Sequence, residues 1–237
     1  MLRVLVAVLS VMAASGAARA ADSAIDLCTK PSNDHDRIIE ACTRIIGASK
    51  TGKVNRSLAH NSRGSAYSAK DQHDLAMADF NAAISIRPDN ALALYNRGNA
   101  LSRLGEHTRA IEDYERAIKL KPDESRAYGG RCYSRSMSGQ LEAGIEDCNR
   151  GLMLKPDDAR MLDTRSYAYV RLGKFQQAIA GYDRALELQP RLAAALWGRG
   201  VARAKLGQGA RGEIDMQAAR ALEAGIEARM AKIGLLP

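Results

Sequence analysis

The sequence predicts an all-α protein, an α-solenoid of helix–turn–helix repeats, and two observations carry that prediction. Pro88, Pro122, Pro156 and Pro190 stand 34 residues apart, and the same residue types return at the same offsets before each. A period of that length marks repeats that are each a helix pair too small to fold alone. Within each half of a repeat, apolar residues recur at spacings of three and four, the signature of an amphipathic helix. Nothing in the periodic pattern is chemistry, so the repeats point to a binding surface and not to a reaction.

Residues 1–20 read as a secretory signal peptide. Met1-Leu2-Arg3 carries one positive charge, residues 4–17 are apolar or small, and Ala18-Arg19-Ala20 places small residues around a cut after Ala20. A membrane anchor is the alternative, but the apolar run is shorter than the ~20 residues a spanning helix needs. No second apolar stretch of spanning length follows, so the expected product is a soluble periplasmic or secreted protein without an integral membrane segment. Losing Arg3 and Arg19 takes the chain's net charge from +8 to +6. That excess suits anionic partners. Export and the absence of any run of five like charges argue against nucleic acid.

Residues 21–56 form a degenerate N-terminal cap and linker. Short helices are expected over 22–29 and 36–49, joined by Pro31-Ser32-Asn33-Asp34-His35, with a polar linker around Ser49–Val54. Five helix pairs then fill 57–224: 57–70 with 74–87, 91–104 with 108–121, 125–138 with 142–155, 159–172 with 176–189, and 193–206 with 210–224. Gly105, Gly139, Gly173 and Gly207 follow the first helix of four pairs, with Asp71 in that place in the first. Glycine fits the left-handed residue that closes a helix. The proline stops each second helix, because it disfavours helical geometry in the residue before it. The fifth unit has Ala224 in place of the proline, and the rest of 225–237, helical over 225–235, is expected to cap the last apolar face.

Small residues occupy matched places in both helices: Gly64, Gly98, Cys132, Ser166 and Gly200 in the first, and Ala76, Ala110, Gly144, Ala178 and Gly212, then Ala83, Ala117, Gly151, Ala185 and Ala219, in the second. An aromatic stands eight before the proline (Phe80, Tyr114, Tyr182), with Cys148 and Met216 as exceptions. These columns resemble the tetratricopeptide repeat family over about residues 57–224, most clearly in Tyr95-Asn96-Arg97-Gly98-Asn99-Ala100 with Ala110-Ile111-Glu112-Asp113-Tyr114. The resemblance implies a right-handed solenoid whose first helices line a concave groove that binds proteins.

Arg63, Arg97, Arg131, Arg165 and Arg199 stand 25 before the proline position, and Asp79, Asp113, Asp147 and Asp215 stand nine before it, with Gly181 the exception. In an antiparallel hairpin these places face one another. The arginines are therefore expected to clip helix to helix through two hydrogen bonds each; an anion-binding ladder is the alternative. Arg165, opposite Gly181, is either bound elsewhere or available to a ligand.

Cys28, Cys42, Cys132 and Cys148 make an even count in a chain expected to be exported, which suggests disulfides. Cys132 and Cys148 face each other across the third hairpin, and Cys28 and Cys42 flank the Pro31 turn. Free buried thiols are the alternative for the third repeat. A bond there contributes about 3 kcal/mol in the chain-entropy model. With no C-x-x-C pair and four scattered histidines, neither a metal site nor any other cofactor is expected.

On the face that the resemblance assigns to the groove, the chain offers Asn61, Tyr95, Gly129, Asp163 and Trp197, then Ser65, Asn99, Tyr133, Tyr167 and Val201, then Arg103, Arg171 and Lys205, with Arg126, Arg160 and the unclaimed Arg165 nearby. Tyr, Trp and Arg are the types that anchor interfaces; a merely solvated groove with packed aromatic edges is the alternative. The carboxylate clamp of chaperone-binding relatives requires lysine where Tyr95 stands, so the resemblance implies no acidic C-terminal tail as ligand. The expected function is a periplasmic protein–protein interaction scaffold holding an extended peptide or a partner helix. The rival is a binder of anionic envelope polymer or lipid surface through basic charge. No nucleophile–base motif, paired catalytic carboxylates or phosphate-cradling loop suggests an enzyme.

The intact mass of the protein recovered from its native host should match a chain that begins at Ala21. A mass that retains residues 1–20 would remove the basis for an oxidising compartment.

Overall fold

The computed structural model describes residues 25–30 and 32–237. The expected signal peptide, the start of the cap and Pro31 lie outside the described residues. No strand occurs among those described. Helices follow one another in helix–turn–helix order: α1 (25–29), α2 (His35–Gly47), α3 (Lys53–Ala69), α4 (His73–Ile86), α5 (Ala91–Arg103), α6 (His107–Leu120), α7 (Ser125–Met137), α8 (Leu141–Leu154), α9 (Ala159–Arg171), α10 (Phe175–Leu188), α11 (Ala193–Lys205), α12 (Gly209–Leu222) and α13 (Ile226–Lys232). The chain divides into two compact units, Met1–Ala100 and Leu101–Pro237.

The local signals act as the sequence predicts. Gly105, Gly139, Gly173 and Gly207 have φ of 79°, 84°, 71° and 77°, and Asp71 takes the same region at 57°. That left-handed turn costs a side chain energy, which explains glycine in four of the five places. Arg87, Lys121, Lys155 and Gln189, each before a proline, leave the helical region at φ near −140°. Glu223 does the same at φ −148° with no proline after it. The turn there is held by Ile226 N–H donating to Glu223 O at 3.1 Å.

Two boundaries differ from expectation by more than two residues. Helix α3 begins at Lys53, so Lys53 and Val54 belong to it and not to the linker, and Ser57 lies inside the helix. Ser57 is buried because its hydroxyl donates to Ala83 O at 2.9 Å and accepts from Asn90 Nδ2 at 2.9 Å. Ser125 repeats the first of these bonds to Gly151 O at 3.0 Å. The C-terminal helix is shorter than the expected 225–235, because Gly234 turns at φ 72° and residues 233–235 leave the helix.

In the N-terminal unit, α1 and α2 are tied by Cys28–Cys42, with Cα atoms 4.9 Å apart, over a small core of Ile38, Ala41, Ile45, Ala59 and Ala66. The first hairpin packs Phe80 on Gly64, where an added Cβ would meet the ring at 2.8 Å. In the C-terminal unit, Tyr114 lies on Gly130 and Tyr182 on Gly198 in the same intimate way. Cys132–Cys148 stands where other hairpins set an aromatic against a small residue, with Cα atoms 5.4 Å apart. The glycines of α8 are required by close approach. A Cβ on Gly144 would meet Ser136 Oγ at 2.7 Å, and one on Gly151 would meet Met161 Sδ at 2.5 Å.

Because α8 carries two glycines and no core aromatic, reduction of Cys132–Cys148 should loosen it first. Amide exchange in 142–155 should rise above that in 108–121 on reduction, by an amount that reflects about 3 kcal/mol of lost constraint. Equal protection in the oxidised and reduced protein would show that the third repeat needs no covalent tie.

Candidate ligand-binding face

Each hairpin is clipped as expected wherever both partners are present within one unit. Arg131 donates from Nε and Nη2 to the two Asp147 oxygens at 2.8 and 2.5 Å, and Arg199 does so to Asp215 at 2.9 and 2.6 Å. Arg135 and Arg203, one turn on, add a third bond to the same carboxylates at 2.9 and 2.7 Å. In the first hairpin Arg63 holds Asp79 at 2.8 Å twice, and the His60 ring lies 2.7 Å from it. Asp79, Asp147 and Asp215 are each 4% exposed, so they belong to the core of the hairpin and not to a ligand surface. Burial works against ionisation of Asp79, but the bonds from Arg63 and His60 outweigh it and hold its carboxyl below the ordinary range.

A second column was missed in the sequence. Sixteen residues before the arginine, on the preceding second helix, stand Asn81, Glu115, Asn149 and Asp183. Arg97 donates to Asn81 Oδ1 at 2.8 Å, Arg165 to Asn149 Oδ1 at 2.7 Å and Arg199 to Asp183 Oδ1 at 2.7 Å. Glu115 is met by Arg135 at 2.9 Å and by Arg131 at 3.9 Å. The arginine therefore joins neighbouring repeats as well as the two helices of its own. The signal was legible as a polar or acidic residue seven before each proline.

Arg165 is thus bound elsewhere, to Asn149, and does not stand free in the groove. Its Nε is buried without a partner, because Gly181 supplies no carboxylate. The exchange is steric: a Cβ on Gly181 would sit 2.2 Å from Ser166 Oγ, and Ser166 is itself held by a 2.8 Å bond to Leu162 O.

The residues assigned to the groove divide. In the N-terminal unit, Asn61 is only 3% exposed, and its Oδ1 accepts from Asn96 at 2.9 Å, so it is part of a packed network; Tyr95 and Asn99 are partly exposed. In the C-terminal unit, Trp197 is wholly buried, and its indole N–H donates to Leu235 O at 2.9 Å. Tyr167 is 5% exposed; its hydroxyl donates to Ile233 O at 2.9 Å, and Arg171 reaches the same carbonyl at 3.2 Å. The expectation that Trp197 and Tyr167 offer themselves to a partner is corrected, because the chain's own residues 233–235 already use them, whereas Arg171 stays exposed. Sequence reading missed this because the last residues carry no repeat register.

What remains open is a cavity of about 600 Å³ lined by Tyr133 of α7, Arg160, Asp163 and Thr164 of α9, Arg191 and Leu192–Ala194 at the start of α11, and Leu222, Glu223 and Arg229. Tyr133 is 42% exposed at its rim. Burial drives the Asp163 carboxyl up to about 7, against the opposing pull of Arg229. Arg103 and Lys205 are exposed outside the cavity. Among the described residues no group of three or more His, Cys, Asp or Glu could hold a metal ion, and no helix is long and apolar enough to cross a membrane.

Family models described as tetratricopeptide repeat match residues 91–124, and as TPR repeat match 64–105 and 167–207. No curated protein matches the sequence significantly. Among solved structures, the chain is similar to a tetratricopeptide repeat protein from Parabacteroides merdae, at TM-score 0.67 and 16% identity over 84% of this chain and 81% of that one. It is also similar to YrrB, described as a TPR protein with an unusual peptide-binding site, at TM-score 0.62 and 17% identity over 82% of this chain and 98% of that one. MamA from Desulfovibrio magneticus gives TM-score 0.62 and 16% identity over 71% and 96%.

The Ser166–Gly181 exchange makes a testable cycle. Gly181→Asp alone should destabilise the protein by about 1–3 kcal/mol through the clash with Ser166. Adding Ser166→Gly should recover about 1 kcal/mol or more, because the new carboxylate then reaches Arg165. Additive effects in thermal or denaturant melts would contradict the clip.

Proposed function

The chain belongs to the tetratricopeptide repeat family, and on that premise we propose that it is a periplasmic protein–protein interaction scaffold that holds an extended peptide or a partner helix on its first-helix face. The observation that carries the reading is the open cavity of the C-terminal unit, where α7, α9 and α11 bring Tyr133, Asp163, Thr164 and Ala194 around one space. Its volume is of the size that binding sites use, about 300–1,000 Å³. The second-helix carboxylates, in contrast, are consumed by the arginine clips, and Trp197 and Tyr167 by the C-terminal segment. Binding is therefore assigned to Tyr133, Asp163 and their neighbours on the cavity wall. The peptide-binding site named for YrrB is consistent with this use of the fold.

The periplasmic part of the proposal rests on the residue pattern of 1–20 and on two cysteine pairs at bonding distance, Cys28–Cys42 and Cys132–Cys148. Disulfides of this kind persist in oxidising compartments. The positioned groups suit recognition.

A photoreactive residue placed at Tyr133 in the intact cell envelope should crosslink to a protein. One at Met153 on α8, which is 73% exposed, should not. With the partner in hand, Tyr133→Ala should weaken binding by about 2 kcal/mol if the ring is a true anchor. Crosslinks from Met153 alone, or to non-protein material only, would overturn the assignment.

A further inference from the structure

The charges around the 600 Å³ cavity are unevenly spent. Arg229 is committed to Glu223 by two bonds of 2.7 Å from Nε and Nη2. Arg160 and Arg191, both exposed on the cavity wall, make no ion pair or side-chain hydrogen bond with any described residue. Most other arginines on the inner sides of this unit's hairpins are used: Arg131, Arg135, Arg199 and Arg203 on aspartates, and Arg165 on Asn149. Two guanidinium groups at one cavity thus keep their donor forks open, and a fork of that kind matches a carboxylate.

Asp163 is a third charged group at the cavity that makes no hydrogen bond or ion pair with any described residue. Burial resists its ionisation, so below neutrality it holds its proton and adds no negative charge. The groups that face it are Tyr133 from α7, Tyr167 and Arg160 on its own helix, Tyr182 from α10, Arg191 ahead of α11, and Glu223 and Arg229 from the C-terminal segment. With Asp163 neutral, three arginines stand against Glu223 alone. With Asp163 ionised, the excess of positive charge at the cavity is halved.

We propose that this cavity is the subsite for an acidic side chain of the bound peptide, its carboxylate held between Arg160 and Arg191, and that Asp163 sets the pH range in which it is held. The inference rests on the reading of this face as a peptide-binding surface. It is not the carboxylate clamp of chaperone-binding relatives, whose lysine place holds Tyr95. Its arginines come from the first turn of α9 and the turn before α11. The sign of the pH effect follows from repulsion: ionised Asp163 opposes an incoming carboxylate, so affinity falls as pH rises through about 7.

The test selects peptides from a random phage-displayed library on the mature, disulfide-intact chain, then compares synthetic copies with each Glu or Asp replaced by Gln or Asn. Selected peptides should carry an acidic residue whose amide replacement weakens binding about tenfold or more, and Arg160→Ala/Arg191→Ala should weaken the parent peptide to a similar extent. Lys205→Ala, an exposed cation outside the cavity, should bind normally. Affinity should be higher at about pH 6 than at about pH 8, and Asp163→Asn should remove that difference. If peptides bind without an acidic residue, or the double variant binds as the parent does, the carboxylate subsite is wrong and the peptide face stands. If Lys205→Ala loses as much as the double variant, general charge attraction replaces the subsite. If no peptide is selected at all, the peptide-binding face fails and the inference fails with it.

Discussion

Close approach of the paired helices is the constraint on which the rest of the structure depends. At the fifth hairpin a Cβ on Gly200 would lie 2.7 Å from Gly212 O, and one on Gly212 would lie 2.6 Å from Gly200 O. Only backbones without side chains meet at that distance. The same closeness brings the arginine and aspartate columns within reach of two hydrogen bonds, because a guanidinium fork tolerates little change in separation. It also sets Cys132 and Cys148 at bonding distance in the hairpin that lacks an aromatic.

That constraint explains which parts of the molecule were legible in the sequence. The hairpins, their glycine turns, the pre-proline exits and the Arg–Asp pairing depend on residues repeated at fixed offsets, so each repeat confirms the others. Both cysteine pairings follow from the same matching across a turn. Beyond the second polar column of Asn81, Glu115, Asn149 and Asp183, what escaped is what happens once. Asn90 bonds to the buried Ser57 hydroxyl, and α3 starts at Lys53, before the repeat register begins. Ser166 and Gly181 exchange bulk in one repeat, and the consequence for Arg165 is that it binds Asn149.

The candidate binding face was only partly legible for a related reason. Residue type and offset place Trp197, Tyr167 and Arg171 on the first helices, but they do not say what covers those helices. Leu235 is 2% exposed over Trp197, and its carbonyl, with that of Ile233, occupies the polar tips of all three side chains. An aromatic with a polar tip serves an intramolecular segment as well as a partner. The C-terminal segment therefore shields the last repeats, and it leaves the space beside Tyr133 and Asp163 open.

The account assigns cohesion to the facing sides of the hairpins and recognition to the outer face of the first helices. The most direct measurement is amide exchange of the mature protein with and without a bound partner. The account predicts slowed exchange in the partner complex over 125–137 and 159–171, with 141–154 and 175–188 unchanged. Protection confined to 141–154 and 175–188 would place the partner on the second helices and contradict it.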